Sequence, residues 1–428
     1  MRNMILALVC LLAAGGAAAQ GLTLDQAVEE ALANNPAMHS AQARQEAALS
    51  GATAARAGFL PSLSAQYRYQ TLADDPFMRV LGHQTIVNSR DQAHWKVSAS
   101  QPLFTGFALA SGLRLAGLGV QTRDLEAREA ALDVARRAKL ACLELLLAEK
   151  ALEVSRTARE NLAAHEADAQ RLLDQGLIPK NDLLKARVAL AETVQEEERA
   201  KARVRAARSA VNVVLGRDFD ADTRVEEWEP PETPEEPIAA LVEEALAQRP
   251  ELQALARAMD AKDQEARLAL SKGFPKVELV GAYEQNGDDL AATNNDYSND
   301  HNASVGIQAQ WVFFQGGKTR AEAALARHEK QALAGTLAAV RDQVRLEVQQ
   351  AWLDLSVAGK NRETASRSLE QARENWRIEE VRYQQQLSTS TEVLDAREYL
   401  TRAETACFQA LYGFGAARAD LDRALGRR

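Results

Sequence analysis

Long apolar segments, aromatic side chains and cysteines are all scarce in this sequence of 428 residues. Beyond the first twenty residues no stretch offers 18 consecutive apolar residues, so no membrane-spanning helix is expected there. Aromatic residues make up only 5% of the chain, which is little for a globular core but normal for long helices packed side by side. The net charge of -9 argues against nucleic-acid binding, which requires a basic surface.

Motifs that carry catalysis are missing as well. We find no phosphate-binding loop, no nucleophile motif and no cluster of metal ligands with a recognised spacing. The acidic loop at 286–302 does not have the spacing of an EF-hand and is predicted to be a solvated loop. The sequence therefore predicts no enzymatic activity, no cofactor and no metal site.

Three cysteines occur, and Cys10 lies in an apolar N-terminal segment. Residues 1–19 have the pattern of a cleaved signal peptide, with a basic start, a short apolar run and small residues at 17–19. The chain is therefore expected to be exported. We predict that Cys142 and Cys407 stay unpaired, because their positions along the helices differ by about 24 Å if the two helix breaks described below lie at one height.

An internal repeat is the strongest sign of how the chain is organised. Residues 28–36, VEEALANNP, return as VEEALAQRP at 242–250, an offset of 214 residues. Later segments repeat at an offset of 210, so that Asp182 corresponds to Glu392 and Arg187 to Arg397. We predict two related halves, 20–216 and 238–428, joined by an acidic, proline-rich connector at 217–237.

Each half opens with a helix and then changes its hydrophobic period from 3.6 to 2. The first helix is predicted at 24–59, with a break near Pro36. The alternation predicts strands at 61–71, 94–104, 275–285 and 303–314. Ten residues is the length of a tilted membrane-spanning strand.

Aromatic residues gather in and beside these strands, as they do at membrane interfaces. The positions are Tyr67, Tyr69, Trp95, Phe104, Tyr283, Trp311 and Phe313. An ordinary soluble sheet is the alternative. Because four strands cannot close a membrane barrel, strands that span a membrane would require several chains to share one barrel.

A long helical pattern follows the strands in each half and is interrupted once, near 175–180 and again near 386–391. Each interruption predicts a tight turn between two long helices, which must pack laterally to be stable. The second turn contains a capping box, in which Thr389 and Glu392 bond each other's backbone amides. In the first turn Pro179 replaces Thr389, and Asp182 is expected to stabilise the start of the next helix.

This order of elements, present twice behind an export signal, resembles the TolC-like outer membrane factor family, also called outer membrane efflux proteins. The resemblance covers essentially the whole mature chain. It rests on AVEEALANNPAM with LVEEALAQRPEL, on QPLFTGF with WVFFQGG, and on the turns DQGLIPKNDLLKAR and QQQLSTSTEVLDAR.

The resemblance implies a mainly α fold in which long helical hairpins form a periplasmic α-barrel. Four strands per chain contribute to a twelve-stranded β-barrel in the outer membrane of a Gram-negative bacterium, made by a homotrimer. It implies the non-enzymatic channel of a tripartite efflux pump or type I secretion system. Such a channel takes substrates from a periplasmic membrane fusion protein and an inner-membrane transporter to the exterior.

The resemblance also implies roles for the two turns. Glu392 and Asp395 match acidic positions that ring the periplasmic constriction, where crowded like charges are expected to have raised pKa values. Tyr383 and Asp182 match positions that help to hold the closed state. Ser388 stands where TolC carries an arginine in the same network. A purely structural role in the capping box is the alternative for Glu392.

The resemblance also implies that residues of the two turns contact the adaptor. The alternative is that these turns are only solvated. These residues are Gln175, Gly176, Leu177, Ile178, Pro179, Gln386, Leu387, Ser388, Thr389 and Ser390. Only the second copy carries both acidic residues, because Lys185 stands where Asp395 does. The second hairpin is therefore predicted to line the pore.

A soluble periplasmic adaptor or scaffold built from coiled-coil hairpins is the competing function. An adaptor would normally have compact β-domains and one hairpin. This sequence has two hairpins and two isolated strand pairs of membrane-crossing length, so it favours the channel.

Overall fold

A computed structural model describes residues 21–231 and 236–428. The signal peptide predicted at 1–19 and residues 232–235 of the connector lie outside the described residues. The helices are α1 (Leu24–Asn34), α2 (Pro36–Ala57), α3 (Ala108–Asp174), α4 (Lys180–Leu215), α5 (Ile238–Gln248), α6 (Pro250–Ser271), α7 (Lys318–Gln384) and α8 (Ser390–Leu425). The strands are β1 (Ser62–Thr71), β2 (Phe77–Val80), β3 (His83–Ile86), β4 (Asp91–Phe104), β5 (Lys276–Gly287) and β6 (His301–Gln310).

The described chain forms two compact units. The helical unit comprises the described residues up to 43, together with 126–252 and 339–428. The sheet unit comprises 44–125 and 253–338. None of the described helices is both long and apolar enough to cross a membrane.

The core of the helical unit is narrow and rich in alanine, as expected for helices packed along their length. Ala27 of α1, Leu145 of α3 and Leu215 of α4 are fully buried in it. Cys142 is buried in the same core, and Cys407 on α8 is half-buried. Both thiols are free, as predicted.

Asn35 separates α1 from α2, at the break predicted before Pro36. Its side-chain oxygen accepts a hydrogen bond from the Ala37 amide at 2.9 Å, and its side-chain nitrogen donates to the Val214 carbonyl of α4 at 2.7 Å. The first bond caps α2, and the second fastens the break to the returning helix. The predicted 24–59 segment is therefore two helices, because Asn35 takes an extended backbone conformation between them.

The connector contains no helix in its described residues, and hydrogen bonds to its backbone carbonyls hold it against the helices. The side-chain amide of Asn212 donates to the Phe219 carbonyl at 3.1 Å and to the Ala221 carbonyl at 2.8 Å. Further on, the Trp228 ring packs against Gly415 of α8, where an added Cβ would lie only 2.9 Å from the ring. The connector thus follows the helix surface through specific contacts.

The sheet unit contains one antiparallel four-stranded sheet in the order β1-β4-β5-β6. The outer edges of β1 and β6 have no hydrogen-bonded partner strand within the described chain. Because neighbours alternate in direction, β1 and β6 run antiparallel to each other.

The two faces of this sheet differ sharply in polarity. One face carries rows of polar side chains that bond across strands, including Ser62 to Ser100 at 2.7 Å and Lys96 to Glu284. The other face is apolar and lies open. On β6 of that face, Val305 is 83% exposed and Ile307 is 70% exposed. A water-soluble sheet would bury such a face against another layer.

β4 begins at Asp91, three residues earlier than predicted, and two larger details of the strands also differ from the predictions. The segment between β1 and β4, where no strand was predicted, contains the hairpin β2–β3, whose turn places Leu81 and Gly82 at positive φ. Leucine at such a position is no turn signal, which is why the hairpin was missed.

The fourth strand ends at Gln310 rather than at residue 314, so the prediction that placed Trp311 and Phe313 within it is wrong. Gln310 pairs with Lys276, the first residue of β5. The preceding Pro275 has no amide hydrogen to extend the ladder.

Candidate functional site

The two long hairpins of the helical unit end in turns of the same backbone design. In the first, the amide of Leu177 donates to the Leu172 carbonyl at 2.9 Å, and Gly176 has a φ of 72°. In the second, the amide of Leu387 donates to the Arg382 carbonyl at 2.8 Å. Gln386 takes the place of glycine there, with a φ of 62°. Both are Schellman motifs, which end a helix with a left-handed residue.

An exposed leucine marks the outer end of each turn. Leu177 is 50% exposed and Leu387, its counterpart, is 65% exposed. The other exposed turn residues are Gln175, Gly176, Pro179, Gln386 and Thr389, whereas Ile178 and Ser388 are half-buried. Ser390, also predicted among the contact residues, is only 1% exposed in the isolated chain.

Glu392 forms the predicted capping box. Its Oε2 accepts from the Thr389 amide at 2.7 Å and from the Ser388 hydroxyl at 2.9 Å, and the Glu392 amide donates to the Thr389 hydroxyl at 3.4 Å. These bonds, that of the Thr389 amide first, lower the pKa of the Glu392 carboxyl. The direction within one chain is therefore opposite to the rise expected for a crowded ring of carboxylates.

Ser388 connects the two helices of the second turn. Its hydroxyl lies 2.8 Å from Glu379 Oε2 on α7 and 2.9 Å from Glu392 Oε2 on α8. A hydroxyl carries a single proton, so it donates to one of these carboxylates at a time. Ser388 is thus a neutral donor between two acidic side chains.

Asp395 is exposed one turn beyond Glu392. It lines a groove of about 590 Å³ whose walls come from α3, α4 and α8. Within the described residues, its carboxylate forms no ion pair or hydrogen bond. Glu392 is held by its cap and Asp395 is free, so the two acidic positions are not equivalent.

Arginine occupies the same repeat position in both hairpins but in different surroundings. Arg187 donates to Glu166 at 2.8 Å within the first hairpin. Trp376 stands where Glu166 does, and the Arg397 guanidinium lies 5.6 Å from the centre of its ring. Arg397 is buried, and burial lowers its pKa. The first hairpin uses an exposed ion pair here, and the second uses a buried cation–π contact.

Tyr383 is buried between the hairpins together with His165, which is not among the site residues predicted from the sequence. The ring centres of Tyr383 and His165 are 4.8 Å apart. Nε2 of His165 lies 2.9 Å from the Ser390 hydroxyl. Burial raises the pKa of Tyr383, and Asp182 and Asp168 add to the rise. Asp182 itself is half-buried in the first turn of α4.

The charge of Asp182 therefore acts on Tyr383, while His165 packs against the Tyr383 ring and lies within hydrogen-bonding distance of Ser390. His165 could have been noticed as a polar residue on the apolar stripe of α3, three residues after Leu162. Nothing in the sequence points to its partner more than 200 residues away. A second link between the hairpins is made by Lys185, whose ammonium donates to the Thr391 hydroxyl at 3.0 Å.

The predicted aromatic positions form two rows, one near each end of the sheet. At one end, Tyr67 is the cross-strand partner of Trp95, whose ring centre lies 5.4 Å from that of Tyr283. Tyr69 belongs to the same row. At the other end lie Phe104, Trp311 and Phe313, and the Trp311 indole donates to the Gly273 carbonyl at 2.9 Å.

Across the part of the chain that the structure describes, no group of three or more His, Cys, Asp or Glu side chains is placed to hold a metal ion. Three features stand out instead: two exposed turns, an inter-hairpin contact and an open apolar sheet face.

Comparison with known proteins identifies one family. The family model described as outer membrane efflux protein matches residues 27–217 and 241–427. A search of curated proteins finds no match.

Among solved structures, the CmeC outer membrane channel of Campylobacter jejuni is similar with a TM-score of 0.81 and 16% identity, covering 94% of this chain and 85% of that chain. The outer membrane protein VceC of Vibrio cholerae is similar with a TM-score of 0.77 and 17% identity, covering 94% and 96%. The open state of the MtrE outer membrane channel of Neisseria gonorrhoeae has a TM-score of 0.76 and 17% identity, covering 94% and 89%. At these identities the likeness shows the fold, which is that of long helices with a few strands per chain.

Proposed function

Because the chain belongs to the outer membrane efflux protein family, we propose that it is the outer-membrane channel of a tripartite efflux pump or a type I secretion system. Members of the family are channels, not enzymes, and they act in the outer membrane. In the proposed assembly, a periplasmic adaptor and an inner-membrane transporter deliver substrates to the channel, which passes them to the exterior.

One observation carries this proposal: the four-stranded sheet has an open apolar face and two free edges. Unpaired strand edges are not tolerated in lipid, and a barrel needs at least eight strands. Since β1 and β6 run antiparallel, the β6 edge of one copy can continue onto the β1 edge of the next. Three copies would close twelve strands, with the apolar face toward lipid and the polar rows toward the lumen.

The aromatic rows support the same orientation. Trp95 and Phe104 belong to opposite rows and are nine residues apart on β4, or about 30 Å along a strand. Tilting such a strand reduces its height to roughly the 25 Å of the apolar band in outer-membrane barrels, which is bordered by aromatic girdles.

The turns of the helical unit carry the remaining assignments of this proposal. Leu177 and Leu387 are exposed apolar side chains at the turns, and we assign them to the contact with the adaptor. Glu392 and Asp395 would ring the constriction, and Tyr383 with Asp182 would help to hold it closed. In the mature protein, residues 1–19 are removed, and the halves 20–216 and 238–428 are joined by the connector 217–237.

Lysine substitutions on β6 test the orientation of the sheet. Val305→Lys and Ile307→Lys put charges on the apolar face, where lysine costs about 2–4 kcal/mol each at the bilayer midplane. Ser304→Lys and Gln308→Lys are matched controls on the polar face of the same strand. We expect the first pair to reduce membrane-assembled trimer and the control pair to leave it intact.

The measurement is the amount of trimer recovered from the outer-membrane fraction with detergent. A wild-type protein that stays in the soluble periplasmic fraction without detergent would refute the channel and favour the soluble scaffold. Equal recovery of the two lysine pairs would refute the proposed orientation of the sheet.

A further inference from the structure

His165 is a buried titratable side chain that joins the first hairpin to both helices of the second. We propose that neutral His165 is a latch that holds the hairpins in the arrangement seen here, which we assign to the closed state, and that its protonation releases them. This inference deepens the proposed function and rests on it, because a latch at the hairpin turns matters only if the turns form the gate of a channel.

The His165 side chain makes two different contacts with the second hairpin. His165 lies on α3 and is 6% exposed. Its Nε2 lies 2.9 Å from the hydroxyl of Ser390, the first residue of α8. Its ring lies against Tyr383 near the end of α7, with ring centres 4.8 Å apart. A movement that separates the hairpins at this end must break both contacts.

The latch is present once in each chain. At the repeat offset, Asn375 stands where His165 does, and Lys180 stands where Ser390 does. Neither counterpart could reproduce a buried imidazole against a small hydroxyl. The contact thus belongs to the face that the first hairpin turns toward the second, and a trimer would contain three latches.

Burial of His165 outweighs the effect of the charges around the latch. On α3, Asp168 favours the charged imidazole, but burial outweighs it and lowers the pKa of His165. From α4, Asp182 acts on the Tyr383 hydroxyl. From α7, the neighbour is the neutral Tyr383 phenol, and from α8 it is the neutral Ser390 hydroxyl. The Glu392 carboxylate of α8 is occupied by its own cap.

The direction of the pH effect follows from this burial. In an open arrangement that exposes the imidazole, its pKa returns to about 6.5. A pKa that is lower in the closed state means that the closed state binds fewer protons. Closure is therefore fully favoured above about pH 6.5 and weakens as the pH falls from there toward the lowered pKa. Acid should open the channel.

Single-channel recording of the full-length trimer in planar bilayers tests the latch at pH 7.5 and pH 5.5. For the wild type, the ratio of open to closed time should rise at least about threefold on acidification, with a limit of about tenfold per chain for each pH unit. His165→Phe and His165→Gln should remove this rise, because neither side chain titrates. His39→Gln is the matched control, since His39 is an exposed histidine of α2 in the same unit.

A second readout does not depend on conductance. Hydrogen exchange of the backbone amides at 380–390, corrected for the intrinsic effect of pH, should accelerate on acidification in the wild type and in His39→Gln but not in the two His165 variants. An acid response that persists in both His165 variants, or exchange in the wild type that does not respond to acid, would overturn the latch. A trimer that shows the exchange response but never conducts would overturn the channel function and leave the latch in place.

Discussion

The charge of Glu392 can be separated from its capping role by two substitutions. Glu392→Gln removes the charge and keeps the cap, because glutamine also serves at the third helical position of a capping box. Thr389→Ala removes the cap and keeps the charge, and Thr389→Ser is its control. If the carboxylates form a ring that collects cations, Glu392→Gln should weaken block by divalent cations from the periplasmic side, and Thr389→Ala should leave that block nearly unchanged.

The size of the effect follows from the number of charges. Glu392 and Asp395 would contribute six carboxylates to a trimer, and Glu392→Gln leaves three. For a divalent cation about 8 Å from each lost charge in water, screened Coulomb interaction predicts block that is roughly sevenfold weaker at 0.15 M salt. At 0.01 M salt the Debye length is about 30 Å, and the factor rises to roughly fiftyfold.

The salt dependence makes this prediction specific. A structural change at the turn would alter block by a similar factor at both salt concentrations, whereas lost charge must act more strongly at low salt. Thr389→Ala should instead lower the free energy of unfolding by about 1 kcal/mol, the usual cost of a lost N-cap. Two results would show that Glu392 is a cap and not part of a charged ring. One is an equal change in divalent-cation block by Glu392→Gln and Thr389→Ala, and the other is an effect of Glu392→Gln that is the same at both salt concentrations.

Three further predictions concern the helical unit. Burial raises the pKa of the Cys142 thiol to about 12, so it should react with a disulfide reagent at pH 8 only after unfolding, while the half-buried Cys407 reacts earlier. The buried Arg249 donates to the Ala424 carbonyl at 2.7 Å and lies within 2.9 Å of two carboxylates, so Arg249→Met should destabilise the fold by about 3 kcal/mol, measured by chemical denaturation of the solubilised trimer. Gly176→Ala should cost about 1 kcal/mol because φ is positive there; Gln386→Ala is the control, because a side chain already occupies that conformation.

Features that depend on neighbours in the sequence were predictable. Helix starts, the capping box of Thr389 and Glu392, and the break at Asn35 are all decided within a few residues. The strands followed from alternation, since only one face of the sheet is apolar. The end of β6 at Gln310 was not predictable in this way, because it depends on which residue of β5 is the last available partner.

The two turns show how the repeat could mislead. Arg187 and Arg397 occupy the same repeat position, yet the first is exposed beside Glu166 and the second is buried over Trp376. Ser390 likewise belongs to a solvated turn by its sequence, but it is buried because α3 packs against it. Burial depends on the packing partner, and the sequence of one segment does not contain that partner.

The elements, their duplication and the polarity of their faces follow from the sequence, because helix and strand periods and caps depend on local spacing. The meeting of His165, Tyr383 and Ser390, and the open apolar face of the sheet between two free edges, follow only from the fold. These properties arise from contacts between residues far apart in the chain. The chemistry of such a contact, from the pKa of a histidine to the exposure of a strand, depends on what packs against it.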